Sequence, residues 1–170
     1  MRISDVLLAE FDQEMANTRK MLARIPSDKW GWKPHTKSSS MGALATHIMN
    51  IPAWMLDTLE KDFFDFAPVG GTPYQQPTAA NTEELLAKFD QFTAAARAAL
   101  AKAENDHLMK NWSLMSGGKA LFTMPRAAIV RSFVLNHLIH HRGQMSVYLR
   151  LNEVSVPGMY GPSADEPSGM

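Results

Sequence analysis

Apolar residues recur at three- and four-residue steps in four stretches of this chain, and segments rich in proline and glycine part them. Each such stretch carries one apolar stripe, and a helix so marked is stable only when other elements cover the stripe. In the first, Ile3, Leu7, Phe11, Met15, Thr18 and Leu22 share a face. That pattern predicts a helix over residues 4–25, with Ser4 as its cap and Pro26-Ser27 as its end. The second helix is expected over residues 41–64, opened by one of the serines at 38–40 and kinked near residues 48–52 by Pro52. The third opens at Asn81 or Thr82. With Asn81 as cap, Glu84 falls three residues on, a capping-box-like start, and the helix continues through Leu85, Phe89, Ala96 and Leu100 to about Ala103. The fourth starts near Pro125, with Thr123 as candidate cap, and runs to about Leu151. Before it, residues 112–114 and 119–122 flank Met115-Ser116-Gly117-Gly118, the pattern of a small β-hairpin. From about residue 152, Pro157, Gly158, Gly161, Pro162 and Pro167 mark an irregular tail. The fold class is therefore all-α: a four-helix bundle in one domain over residues 1–170, with a long irregular or hairpin connection before the last helix.

Composition narrows the function classes. Lys+Arg and Asp+Glu both number 17, so the formal net charge is zero, and no basic cluster stands in for an overall excess. Nucleic-acid binding, which rests on neutralising phosphates, is not expected. No apolar run approaches about 18 residues, so no membrane-spanning helix is expected, and a cytoplasmic setting is the default. With no cysteine, disulfides, thiolate metal sites and a cysteine nucleophile are excluded. A metal would be held by His, Asp, Glu, backbone or water.

His137 and His141, four apart in the last helical stretch, carry the strongest functional signal. Side chains at that spacing lie one above the other on a helix face, so both imidazoles can reach one ion. With His137 at zero and about 100° per residue, His141 falls at about 40°, Tyr148 and Val130 at about 20°, and Val134 at about 60°. Arg131, Arg142 and Arg150 fall beyond about 100°, which places the two histidines on the apolar side and the arginines on the charged side. His140, at about −60°, does not join the same ion easily. On the second helix, His47 shares its side with Leu44, Ile51, Trp54 and Thr58. His47, His137 and His141 are the candidate metal ligands. Three neutral imidazoles suit zinc, nickel, copper and iron alike. Asn50, one turn after His47, and Gln144 and Tyr148, on the His137 side, are candidates to support the ligands or orient a substrate.

A His on an apolar face is more often a hydrogen-bonded core residue than a ligand, and the bundle could be an interaction module built on such histidines. The paired spacing favours the metal, because two imidazoles buried side by side need a reason. The chain has no His-Glu-x-x-His, so a metalloprotease helix is not expected, and its single Glu-x-x-His, Glu104-Asn-Asp-His107, lacks the second copy that a di-iron carboxylate bundle needs. Gly70-Gly71 and Gly117-Gly118 are turn glycines outside any phosphate-loop setting, and no Gly-x-Ser-x-Gly elbow occurs. The 12 methionines read as core filler, with Met41, Met49 and Met145 as possible pocket walls; Trp30, Trp32 and Trp54 read as packing anchors.

Several segments together resemble the DinB/YfiT-like family. They are His47-Ile-Met-Asn-Ile-Pro-Ala-Trp-Met-Leu56 after a serine-rich loop; Trp112-Ser-Leu, Gly117-Gly118 and Leu121-Phe-Thr-Met-Pro-Arg126 before the last helix; Asn136-His-Leu-Ile-His-His-Arg-Gly-Gln-Met-Ser-Val-Tyr-Leu-Arg-Leu151; and Val156-Pro-Gly-Met-Tyr160 in the tail. The resemblance spans nearly the whole chain. It implies a four-helix bundle with up-down-down-up connectivity and one divalent transition metal per chain, nickel or zinc, on His47, His137 and His141. It implies homodimers, and activities such as transfer of low-molecular-weight thiols. Leu135 and Ile139 are the apolar residues that could serve a dimer face.

Three protein nitrogens leave an ion with open positions, the arrangement of a catalytic centre. The expectation is a metal-dependent enzyme that activates water or a thiol, a thiol S-transferase or a hydrolase, acting on a small molecule. The alternative is a non-catalytic metal- or small-ligand-binding bundle protein in a stress response.

Overall fold

The computed structural model describes residues 2–166, so Pro167 of the expected irregular tail lies outside the described residues. Six helical segments and three strands follow in the order α1 (Ile3–Leu22), α2 (Met41–Glu60), β1 (Phe63–Asp65), α3 (Thr82–Lys102), α4 (Asn105–Met109), β2 (Asn111–Ser116), β3 (Lys119–Pro125), α5 (Arg126–Ile129) and α6 (His137–Arg150). Between α5 and α6 the helix does not break but widens into a π-helical stretch, Val130–Asn136. The four long elements are thus α1, α2, α3 and the α5–π–α6 rod. Both α3 and α6 pack against α1 and α2, which sets α1 and α2 on one diagonal of the bundle.

The stripes meet in one core. Leu7, Phe11, Met15 and Leu22 from α1, Ile48, Ile51 and Met55 from α2, Leu85, Phe89 and Leu100 from α3, and Leu138, Met145 and Leu149 from α6 are all buried in it. Met41, Met49 and Met145 are also fully buried there as core filler. Trp30 and Trp32 pack on the core's edge as anchors. Gly42 permits this, because a Cβ there would overlap the Trp30 indole.

Local signals at helix ends held in part. Ser40 accepts from the Ala43 amide and starts α2, and Asn81 accepts from the Glu84 amide and starts α3. The Glu84 carboxylate reaches back to Ala80 N–H at 2.9 Å. Two expected caps are corrected. Ser4 lies buried inside the first turn of α1, whose cap position is Arg2. Thr123 stays in β3, its hydroxyl 2.7 Å from that of Ser113, and Pro125 occupies the cap position of α5.

The expected hairpin is present as β2 and β3, antiparallel, turning at Gly117 and Gly118 with φ of 60° and 74°. Two successive positive φ values are what a two-residue turn matching strand twist demands, and glycine adopts them without a Cβ penalty. The second helix ends at Glu60, four residues short of expectation, because Phe63–Asp65 leaves it to pair in parallel with β2. The strand order is β1-β2-β3. Arg126 locks this junction. Its buried guanidinium donates to the carbonyls of Thr58, Lys61 and Asn111 and to the Asp62 carboxylate. Those bonds satisfy carbonyls freed at the end of α2 and the start of β2.

Among the described residues, the tail from 152 to 166 has no helix or strand but is tied down. Asp165 takes Arg150 and the Val156 amide, and Glu166 takes Arg24 and the Gly158 amide.

Candidate metal centre

His47 projects from the middle of α2, and His137 and His141 from the first turns of α6. Their ring nitrogens converge. Nε2 of His137 lies 2.9 Å from Nε2 of His47 and 2.9 Å from Nε2 of His141. The His47 and His141 rings are 4.5 Å apart between centroids. Among the described residues, no fourth His, Asp or Glu joins this group.

The donor set fits a divalent ion. Nitrogens held roughly 2.0–2.1 Å from one ion, at 90–110° to each other, stand about 2.9–3.4 Å apart. Hydrogen bonding among the rings explains the same contacts less well. Gln144 Oε1 lies 2.7 Å from Nδ1 of His141, and its Nε2 lies 3.1 Å from Nε2 of His140. The Gln144 carbonyl therefore accepts the Nδ1 proton, leaving His141 Nε2 a lone pair. Nε2 of His137 can satisfy only one of its two neighbours, by donating to His141 or by accepting from His47. A shared cation satisfies all three lone pairs at once.

Electrostatics keep the rings in the state a metal needs. Burial, then the neighbouring rings of His141 and His137, lower His47 to about 4. Burial, then His141 and His140, lower His137 to about 4. Burial also lowers His141, opposed by its bond to Gln144. At neutral pH the imidazoles are uncharged, and a ligand must be.

The helical wheel misplaced the surroundings. The buried stripe of α6 is Leu138, Arg142, Met145 and Leu149, and the histidines lie half-buried on its flank. Arg142 is not on the charged side. It pairs with Glu14 at 2.6 Å, both side chains being 5% exposed or less. Leu135 is fully buried in the core and offers nothing to a dimer face, while Ile139 is half-buried.

The three supporting candidates have different places. Gln144 bonds His141 as described. Asn50 is fully buried and its amide donates to the carbonyls of Thr46 and Pro77, tying the loop before α3 to α2. Tyr148 donates to the Ser39 carbonyl at 3.2 Å and meets the Trp32 ring edge-on, holding the serine-rich loop against α6.

Sequence reasoning missed what stands behind the histidines. The Trp54 ring lies 5.4 Å from His47 and 5.3 Å from His137. Trp54 also lines a cavity of about 320 Å³ between α2, the π-helical stretch and the sheet. The signal was present as a density of aromatic residues at 63–74, but only the pairing of β1 with β2 brings them to Trp112, Phe122 and Phe133.

The comparisons with known proteins agree with this architecture. The model of the DinB family matches residues 1–169. A Bacillus subtilis (strain 168) relative described as the uncharacterized protein YrdA is 27% identical over 162 residues, covering 95% of this chain and 90% of its own. A DinB-like protein from Bacillus cereus ATCC 10987 superimposes with a TM-score of 0.70 at 23% identity, covering 91% of this chain and 95% of its own. The DinB-like protein YjoA from Bacillus subtilis gives 0.66 at 18% identity, covering 90% and 96%. With a shared fold, a three-histidine group that could hold a metal and a family match over nearly its whole length, the chain belongs to the DinB family.

Proposed function

We propose that this protein is a metal-dependent enzyme in which His47, His137 and His141 hold one divalent transition ion, nickel or zinc, and act on a small molecule. The supporting observation is the convergence of three uncharged imidazole nitrogens with no fourth His, Asp or Glu in the group among the described residues. A centre that leaves coordination positions open suits catalysis, and a closed one suits bracing. Bound there, such an ion supplies Lewis acidity that makes water or a thiol nucleophilic near neutral pH. The reaction class is thiol transfer or hydrolysis.

The chain's own residues supply the rest. Burial keeps His47 and His137 unprotonated. Gln144 holds His141 with Nε2 turned inward, as ligand-supporting carbonyls do at metal sites. Trp54 packs edge-on against the His47 and His137 rings. Tyr148 and Trp32 fix the loop on another side.

Elemental analysis of protein purified without chelator or affinity tag tests this, beside His137→Ala. The expected result is about one equivalent of transition metal per chain, lost in the variant, with turnover of thiol or ester substrates restored by adding the ion back. Protein that takes up no metal after incubation with nickel and zinc, or turnover that survives complete metal removal, would sink the reading.

A further inference from the structure

The cavity behind Trp54 has a chemistry of its own. Its walls are Trp54, Phe64, Trp112, Leu114, Phe122 and Phe133. The volume, about 320 Å³, lies at the small end of ligand pockets, enough for a compact ring system. The rings are held rather than loosely collected. Phe122 stacks on Phe133 at 4.5 Å, Tyr74 meets Phe64 edge-on at 5.2 Å, and the Trp112 indole N–H donates to the Asp57 carbonyl at 3.0 Å. A preformed apolar slot of this kind attracts flat apolar groups.

Charge decides what the ligand cannot be. Asp57 is the one charged side chain on the wall among the described residues, and Lys61 already neutralises it at 2.6 Å. A charged ligand group would lose its water here and find no free partner. Of the polar groups that remain, Thr58 donates its hydroxyl to the Trp54 carbonyl, and Tyr74 and Gln76, from the loop before α3, can hydrogen-bond a neutral hydroxyl or carbonyl. Burial and the Asp57 carboxylate push the Tyr74 phenol up, so it stays a neutral donor.

Position links the cavity to the histidines. Trp54 belongs to both, lining the cavity and packing on the His47 and His137 rings, and Phe133 lies one turn before His137 on the same continuous helix. We propose that the cavity receives an uncharged aromatic or similarly flat apolar group, the non-reacting body of the molecule on which the histidine centre acts. The second half of that statement rests on the enzymatic reading above; the first half does not.

The test uses the four tryptophan indole N–H signals of the ¹⁵N-labelled full chain, assigned with Trp→Phe variants and followed during titration with 2-naphthol, 2-naphthoate and 2-naphthylmethylammonium. The neutral probe is expected to shift Trp54 and Trp112 saturably, to leave Trp30 and Trp32 still, and to bind at least about tenfold tighter than either ion. Leu114→Glu should abolish the shifts. If that variant fails to fold, Leu114→Phe, which narrows the cavity without adding charge, should weaken them. No saturable shift, shifts spread equally over four indoles, equal binding of the ions, or a folded Leu114 variant that binds unchanged would overturn the proposal. The same titration on His137→Ala separates the two readings. Ring binding there, with no metal uptake by the parent protein, keeps the cavity and discards its link to catalysis. Metal uptake without ring binding discards the cavity alone.

Discussion

At the scale of single residues, the histidines carry a stability cost with a definite sign. His47 and His137 sit at about 4 in the folded chain against an ordinary value of 6.5. Above pH 6.5 neither folded nor unfolded chain protonates them. Between 6.5 and about 4 the unfolded chain binds protons that the folded one refuses, so folding weakens as pH falls through that window. The metal-free protein should therefore lose thermal stability over that range, and His47→Ala/His137→Ala should show a flatter profile by differential scanning calorimetry. An identical slope in the variant would place the loss elsewhere. The spacing of His137 and His141 was legible because one helix dictates it. That His47 meets them was a juxtaposition the sequence could suggest only through shared apolar faces. Arg142 was read wrongly because a wheel at fixed pitch locates charge relative to one helix, not relative to the Glu14 carboxylate waiting on α1.

At the scale of elements, the π-helical stretch is the decisive departure from regularity. Seven residues, Val130–Asn136, run at the wider pitch directly before the ligand turn. Such stretches turn the following helix relative to the preceding one, and they recur at functional sites. Here Val134 and Leu135 face the core while His137 and His141 emerge toward α2. Deleting exposed Ser132 removes one residue from the stretch and rotates the histidine pair by about 100° against α5. Metal affinity of that variant, measured by calorimetry, should fall at least about tenfold, the lower end for disturbed ligand support. Unchanged affinity would show that α6 sets the ligands unaided. No proline or glycine in residues 130–136 announces the wide pitch; the Arg131 guanidinium, donating to the Asn136 side-chain carbonyl five residues on at 2.6 Å, spans it. The hairpin, by contrast, was legible from Gly117-Gly118, whose backbone angles few other residues accept.

At the scale of the whole molecule, the tail closes a buried polar network. Arg142 donates to the Glu14 carbonyl and Thr18 hydroxyl and pairs with the Glu14 carboxylate, and the Tyr160 hydroxyl completes the set, 2.6 Å from Arg142 and 2.7 Å from Glu14. A buried charge stripped of its partner is costly, so Arg142→Met should lower stability by about 3–5 kcal/mol. Tyr160→Phe, which removes only a hydroxyl, should cost about 1 kcal/mol. Urea denaturation checks both, and the reverse ranking would mean that the tail, not the ion pair, holds α1 to α6.

Sequence alone determined the local matters: four amphipathic stripes, a serine cap within residues 38–40, a capping-box-like start at Asn81 or Thr82, the glycine turn, and two imidazoles on one helix face. Each is set by residues within a few positions of one another, where backbone geometry leaves little choice. Tertiary structure alone decided where β1 leaves α2, that Arg142 and Arg126 are buried, and that distant aromatic residues enclose a cavity beside Trp54. Those features depend on partners tens of residues away, whose approach is fixed by packing the whole core and not by any local preference.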